Sequence, residues 1–222
     1  MNHYKKQSAE KAFQLITPGQ AIGLGDGTTV LYLVELIAAD RGLSATLKLT
    51  SSSVKTLFKL SELGLTSTPL SEMKAVDRYF DSCDQFDREL NALKSGSCTH
   101  TVEKILAGMA KEFILIGDSE KYAEKLTSDY PVVIEIIPAA LNSVTEKLKM
   151  EFPLAAYTQQ AAVFERGNYL LDMNFGHWPA LDHLNTFIKM MPGVLDHSLF
   201  YHMADSAIIS GPDGTRTLFP AI

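Results

Sequence analysis

The chain has 222 residues, 46% of them apolar, with 20 Lys and Arg against 26 Asp and Glu and a formal charge of -6. This composition supports a packed core and excludes wholesale disorder. The acidic balance disfavours a nucleic-acid partner but permits a small anion held by a few placed donors. No apolar run reaches the roughly 18 residues of a membrane span, the first residues carry no signal-peptide core, and the two cysteines form no CxxC pair. A reducing, cytoplasmic setting without membrane association is expected.

In chain order, "SAEKAFQLI" reads as an amphipathic helix stopped by Pro18-Gly19. "AIGLG" reads as a short buried strand and "TTVLYLVELIAADRG" as a helix. "ATLKLTSSS" is a strand with a cap, followed by the helix "VKTLFKLSELG". "AVDRYFD" is a strand ending on Asp81, "THTVEKILAGMAKE" a helix and "FILIGDS" a continuous apolar strand. Strands with unbroken apolar runs, alternating with helices, imply a parallel sheet covered on both faces.

The pattern changes after Tyr130. "PVVIEII" reads as a strand and "LNSVTEKLKMEF" as a helix, and "AAVFERGNYLLDMNF" as two alternating strands around Gly167-Asn168. The helix "PALDHLNTFIKMM" and the strand "VLDHSLFY" follow. This is the split βαβ order of a ferredoxin-like unit. "SAIISGPDGTRTLF" closes as a hairpin. The expected fold is α/β: a parallel Rossmann-like sheet domain (1–130 and 199–222) with a smaller inserted ferredoxin-like α+β domain (131–198).

Ligands of open α/β sheets bind beyond the carboxyl ends of the strands. "GDGTT", "TSSS", "DSCDQ" and "GDSEK" fall there, and "LKSGSCTHTVEK" precedes a helix. Each alone is often only a turn or a helix cap; their joint placement on one rim points to a site. The glycine loop lacks the Gly-Lys-Ser/Thr ending of a Walker loop and is an incomplete GxGxxG. The amides and hydroxyls of Gly27, Thr28 and Thr29 would still suit a phosphate, while Thr28 or Thr29 could equally be an N-cap.

These motifs resemble ribose-5-phosphate isomerase type A. The family's GxGTGST loop is matched by "GLGDGTT" at 23–29, its serine run by "SSS" at 51–53 and its DGADE motif by "DSCDQ" at 81–85. Its KGGGAALTREK motif is matched by "KSGSCTHTVEK" at 94–104, and its Asp-x-x-Lys turn by "DSEK". "MPGV" at 191–194 and "PDG" at 212–214 also fit. The resemblance implies isomerisation of ribose 5-phosphate and ribulose 5-phosphate in the pentose phosphate pathway. It implies no cofactor, no metal, and a homodimer or homotetramer.

Carried over residue by residue, the resemblance makes Glu103 the base and Asp81, Asp84 and Lys94 the polar catalytic cluster. Asp26, Gly27, Thr28, Thr29, Ser95, Gly96, Ser97 and Lys121 become substrate-binding, with Lys5 or Lys6 a further candidate for the phosphate. These residue types suit the chemistry. One carboxylate can move a proton between C2 and C1, and an ammonium can stabilise charge on the carbonyl oxygen.

The chain departs from the family at Asp26, Ser82, Gln85, Ser95, Ser97 and Val102. Serine is strained wherever the replaced glycine needs a positive φ. Asp26 would repel a phosphate unless it turns away or pairs. Glu103 sits near a helix N-terminus, which lowers a carboxylate pKa, whereas a base needs it raised. Two other readings share these residues: a non-catalytic sugar-phosphate sensor on the same fold, and an isomerase of another phosphosugar.

Overall fold

The computed structural model describes residues 2–96, 99–160 and 167–221. Helix α1 (Asn2–Phe13) leads into β1 (Ala21–Leu24), α2 (Thr28–Ala39), the short α3 (Arg41–Ser44), β2 (Lys48–Ser51), α4 (Val54–Glu62) and β3 (Val76–Asp81). Two-residue strands β4 (Gln85–Phe86) and β5 (Ala92–Leu93) precede α5 (His100–Met109) and β6 (Ala110–Asp118). Then come β7 (Val132–Ile136), α6 (Leu141–Glu151), β8 (Ala156–Gln159), β9 (Tyr169–Asn174), α7 (Leu181–Lys189) and β10 (Val194–His197). The chain ends with β11 (Leu199–Phe200), β12 (Ser206–Gly211) and β13 (Gly214–Leu218).

The main sheet has the order β13-β12-β6-β3-β1-β2. All its pairings are parallel except the β12–β13 hairpin at the edge. Successive residues serve opposite faces: Phe80, Ile114, Ile116 and Ile208 enter one core, while Tyr79, Phe113, Leu115, Ala207 and Ile209 enter the other. Both faces are covered, which is why these strands read as continuous apolar runs. The chain runs outward from β1 to β2 and then returns to β3, so the order reverses between β1 and β3. The crevice at such a reversal is where open α/β sheets bind ligands.

A second sheet has the order β10-β7-β9-β8, antiparallel throughout, with α6 and α7 supplying Val144, Leu148, Leu184 and Ile188 to its core. This is the expected split βαβ arrangement. A third sheet, β11-β5-β4, consists of two-residue strands too short to show periodicity in the sequence.

Four expectations need adjustment. The first helix begins at Asn2, six residues ahead of "SAEKAFQLI". The helix over "THTVEKILAGMAKE" stops at Met109, and Ala110–Glu112 already belong to β6. "VLDHSLFY" is two strands, divided at Ser198 between two different sheets. Of the strand pair around Gly167-Asn168, the second is β9; "AAVFER" lies outside the described residues, and the partner strand is β8 at Ala156–Gln159.

Candidate active site

Strand β3 delivers the first carboxylate. Asp81 is fully buried at its carboxyl end. Its Oδ1 accepts from the amides of Asp26 (3.0 Å) and Ser82 (2.7 Å). Its Oδ2 accepts from the Tyr79 hydroxyl and pairs with Lys94 Nζ at 2.8 Å. The glycine loop is shaped around this side chain. A Cβ at Gly25 would lie 1.9 Å from the Asp81 carboxyl carbon, so only glycine fits. Gly27 has φ 110°, and a Cβ there would meet Ser82 Oγ at 2.3 Å. The spareness of this loop therefore makes room for the side chains that follow β3.

Lys94 follows β5 and is almost wholly buried. Besides Asp81, its ammonium pairs with Glu103 at 3.5 Å and donates to the Ser82 carbonyl. Burial alone would lower its pKa, but the Asp81 and Glu103 charges prevail and hold it above the usual lysine value. The ammonium is thus kept charged.

Glu103 lies in the first turn of α5, after the N-cap residue Thr99, whose hydroxyl donates to Glu103 Oε1 at 2.8 Å. It is fully buried. Burial, reinforced by the Asp81 charge, pushes its pKa up to about 7 against the opposing pull of Lys94 and Thr99. The shift runs upward, the direction opposite to the one a helix N-terminus alone would give.

Lys94 also lines a cleft of about 250 Å³ with Lys5, Asp26, Gly27, Thr28, Thr29, Ser82, Cys83, Asp84, Gly96, Gly117 and Lys121. Asp81 and Glu103 stand behind Lys94 and do not line it. At the far rim, Gly27 occupies the N-cap of α2 with no side-chain cap bond, so Thr28 and Thr29 are the first helical residues and not caps. First-turn amides with ammonium groups nearby are the kind of surface that suits an anion. Lys5 lines the cleft and pairs with Asp118 at 3.7 Å, whereas Lys6 lies over the Tyr32 ring.

The departures have local explanations. Asp26 lines the cleft, but its Oδ1 accepts from Ser53 Oγ at 3.0 Å, and Ser53 also caps α4. Ser82 donates to the Asp26 carbonyl at 2.7 Å. Gln85 is bound to Thr127 through both ends of its amide. Asp84 Oδ2 accepts from the amides of Ser95 (2.6 Å) and Gly96 (3.1 Å), fixing the loop before α5. The Ser95 hydroxyl donates to the Pro131 carbonyl, away from the cleft lining.

Among the described non-glycine residues, positive φ occurs at Leu90 and His202, so neither Ser82 nor Ser95 is strained. The strain expected there is absent because those positions use ordinary backbone; Ser97 lies outside the described residues. Sequence reasoning passed over Tyr79, whose signal was its place two residues before Asp81 on the same strand face. It also passed over Ser82, Cys83 and Gly117 as lining residues, although each sits inside or beside a quoted motif.

An acid–lysine cluster behind a cleft lined by Lys5, Lys94 and Lys121, at the reversal point of a parallel sheet, is the architecture of an α/β enzyme. Residues 48–214 match the family model described as ribose 5-phosphate isomerase A (phosphoriboisomerase A). A ribose-5-phosphate isomerase A of Lactobacillus delbrueckii subsp. bulgaricus is 31% identical over 216 residues, covering 95% of this chain and 93% of that protein. A ribose 5-phosphate isomerase structure from Plasmodium falciparum superposes with a TM-score of 0.89 at 30% identity, covering all of both chains. Another D-ribose-5-phosphate isomerase structure, in complex with phospho-erythronic acid, gives a TM-score of 0.89 at 26% identity over 97% of each chain. The chain belongs to the ribose 5-phosphate isomerase A family.

Proposed function

We propose that the chain interconverts ribose 5-phosphate and ribulose 5-phosphate with Glu103 as the base. The single observation carrying this reading is the buried Glu103 carboxylate, pushed up to about 7 and 3.5 Å from a buried ammonium. Near neutrality such a group both takes and returns a proton. Glu103 stands behind Lys94 and comes within reach of the sugar only when the sugar is drawn in past it; there it removes the proton from C2 of the open-chain aldose and delivers it to C1. As the carbonyl passes from C1 to C2 the O2 hydroxyl proton is transferred to O1, and Lys94 stabilises the charge these oxygens carry in the enediolate. Asp81 holds Lys94, and Asp84 orders the loop before α5 and assists proton exchange during ring opening. The phosphate is received by the first turn of α2 at Thr28 and Thr29 with Lys121 and Lys5.

A non-catalytic sensor needs no base, and burying two carboxylates on one lysine behind the ligand cleft serves no binding purpose. Among the described residues no group of three or more His, Cys, Asp or Glu side chains is placed to hold a metal ion. Turnover is expected to survive EDTA; loss on chelation with recovery on adding one divalent ion would refute this.

The division into 1–130 with 199–222 and 131–198 is likewise proposed, on the ground that each of the two larger sheets falls within one part. A cytoplasmic homodimer or homotetramer is the expected form, to be checked by light scattering. Among the described residues no helix is long and apolar enough to cross a membrane.

The deciding experiment is Glu103→Gln. The variant keeps its shape and its affinity for the sugar phosphate but loses about 10²–10⁴-fold in turnover. Exchange of the C2 hydrogen with deuterium oxide stops with it. Equal turnover in both proteins would remove Glu103 from the mechanism.

A further inference from the structure

Two carboxylates share one ammonium here, yet the reaction proposed above uses only one as base. Asp81 and Glu103 are both fully buried, and Lys94 Nζ stands 2.8 Å from the first and 3.5 Å from the second. Something must decide which exchanges protons with substrate. We propose that Tyr79 is a positioning residue that makes this choice: by donating to Asp81 it meets part of that carboxylate's demand, keeps Lys94 shared with Glu103 and leaves Glu103 as the proton carrier.

Tyr79 and Asp81 are two residues apart on β3 and therefore point to the same face, towards α5. Tyr79 is fully buried, stacked on Phe113 with centroids 4.9 Å apart. A Cβ at Gly23 would come within 3.1 Å of its ring and 3.0 Å of Leu106, one turn after Glu103, so glycine there lets the ring pack under the catalytic helix. Packing alone would be served by phenylalanine.

The hydroxyl is the part that packing does not explain. It donates to Asp81 Oδ2 and lies 3.4 Å from Ser52 Oγ. Burial first, and then the Asp81 and Glu103 charges, raise the phenol well above its ordinary value, so it remains a donor throughout the working range. Asp81 consequently receives four donors: the Asp26 and Ser82 amides, the Tyr79 hydroxyl and Lys94. Lys94, Asp81 and Thr99 are among the groups acting on Glu103. Removing the Tyr79 donor makes Asp81 rely more on Lys94, which draws the ammonium from Glu103.

The test is Tyr79→Phe, which preserves the ring. The readout is the titration of the Glu103 carboxyl carbon by NMR in glutamate-labelled protein, with Glu103→Gln identifying the signal. The expected result is a midpoint raised by about half a pH unit. The low-pH limb of kcat should shift with it, while KM stays unchanged because Tyr79 does not line the cleft. Site-specific incorporation of a fluorotyrosine, a stronger donor, should move the midpoint the other way. It also supplies the test if Tyr79→Phe does not fold.

An unmoved midpoint in the folded variants, with only a lower melting temperature, would overturn the proposal. The NMR titration needs no turnover, so the two readings fail separately. Expected midpoints in a protein that isomerises nothing would refute the catalytic reading alone. Normal wild-type turnover with unmoved midpoints would refute the Tyr79 link alone.

Discussion

Asp26 is the residue where this chain parts most sharply from its family's loop, and its geometry makes two demands on one side chain. It anchors the loop to Ser53 at the start of α4, yet it lines the cleft proposed to receive the phosphate. Replacing it with threonine removes a negative charge from that cleft. The expected outcome is a severalfold lower KM for ribose 5-phosphate with kcat little changed, at a stability cost of about 1 kcal/mol for the lost hydrogen bond. A raised KM would show that the carboxylate orients the loop more than it repels the ligand.

Glu103 provides a pH signature at the same scale. Its folded pKa of about 7 stands above the ordinary 4.5. The native state therefore binds more protons than the unfolded chain between those values. Its contribution to stability is full below about 4.5 and is lost as pH rises through about 7. Urea denaturation from pH 5 to 8 should show wild type losing stability relative to Glu103→Gln across this window. Turnover should run in the opposite sense, rising as pH increases through about 7.

Asp81, Asp84 and Lys121 were legible because polar clusters ended predicted strands; Lys94 and Glu103, in a cluster before a helix, were reached only through the family resemblance. Tyr79 was not legible, because an aromatic residue inside a strand reads as core until its hydroxyl is seen against Asp81. Nor does sequence reveal that Gly25 is required by Asp81, 56 positions away.

Helix α5 carries Glu103, the proposed base, on one face and is tied down by the other. Lys104, next to Glu103, keeps only 9% of its side chain exposed and pairs with Asp196 of β10 at 2.9 Å; Asp196 also receives Lys189 of α7 at 2.6 Å. Removing one partner of a buried pair is costly when it leaves the other charge unpaired, about 3–5 kcal/mol. Asp196→Ala strands the Lys104 ammonium, whereas Lys104→Met leaves Asp196 still paired with Lys189. Asp196→Ala should therefore be the more destabilising in urea titrations, and the reverse order would contradict this account.

At this scale, long periodic elements could be read and junctions could not. Met109 and Ala110 pass from helix to strand with no turn residue between them. Strand β8 is mostly exposed and has no apolar alternation to betray it.

Across the whole molecule, the core beneath the four-stranded sheet also includes Leu93, Leu126 and Leu199. These residues lie outside 131–198. An excised 131–198 fragment would lose their packing and expose apolar surface that they cover. It should show poor NMR dispersion and no cooperative melting; a folded fragment would establish that the second sheet is self-sufficient.

Ser198 alone separates β10 from β11. Its amide donates to the Val133 carbonyl at 2.8 Å, its hydroxyl accepts from the Val133 amide at 2.8 Å, and its carbonyl accepts from the Lys94 amide at 3.1 Å. In mechanical language this is a rivet without slack. A pull applied in an optical trap between the main and four-stranded sheets would load the Lys94 backbone before any slack could be drawn out. The expected force trace is a single rupture, with catalytic competence lost at the first yield.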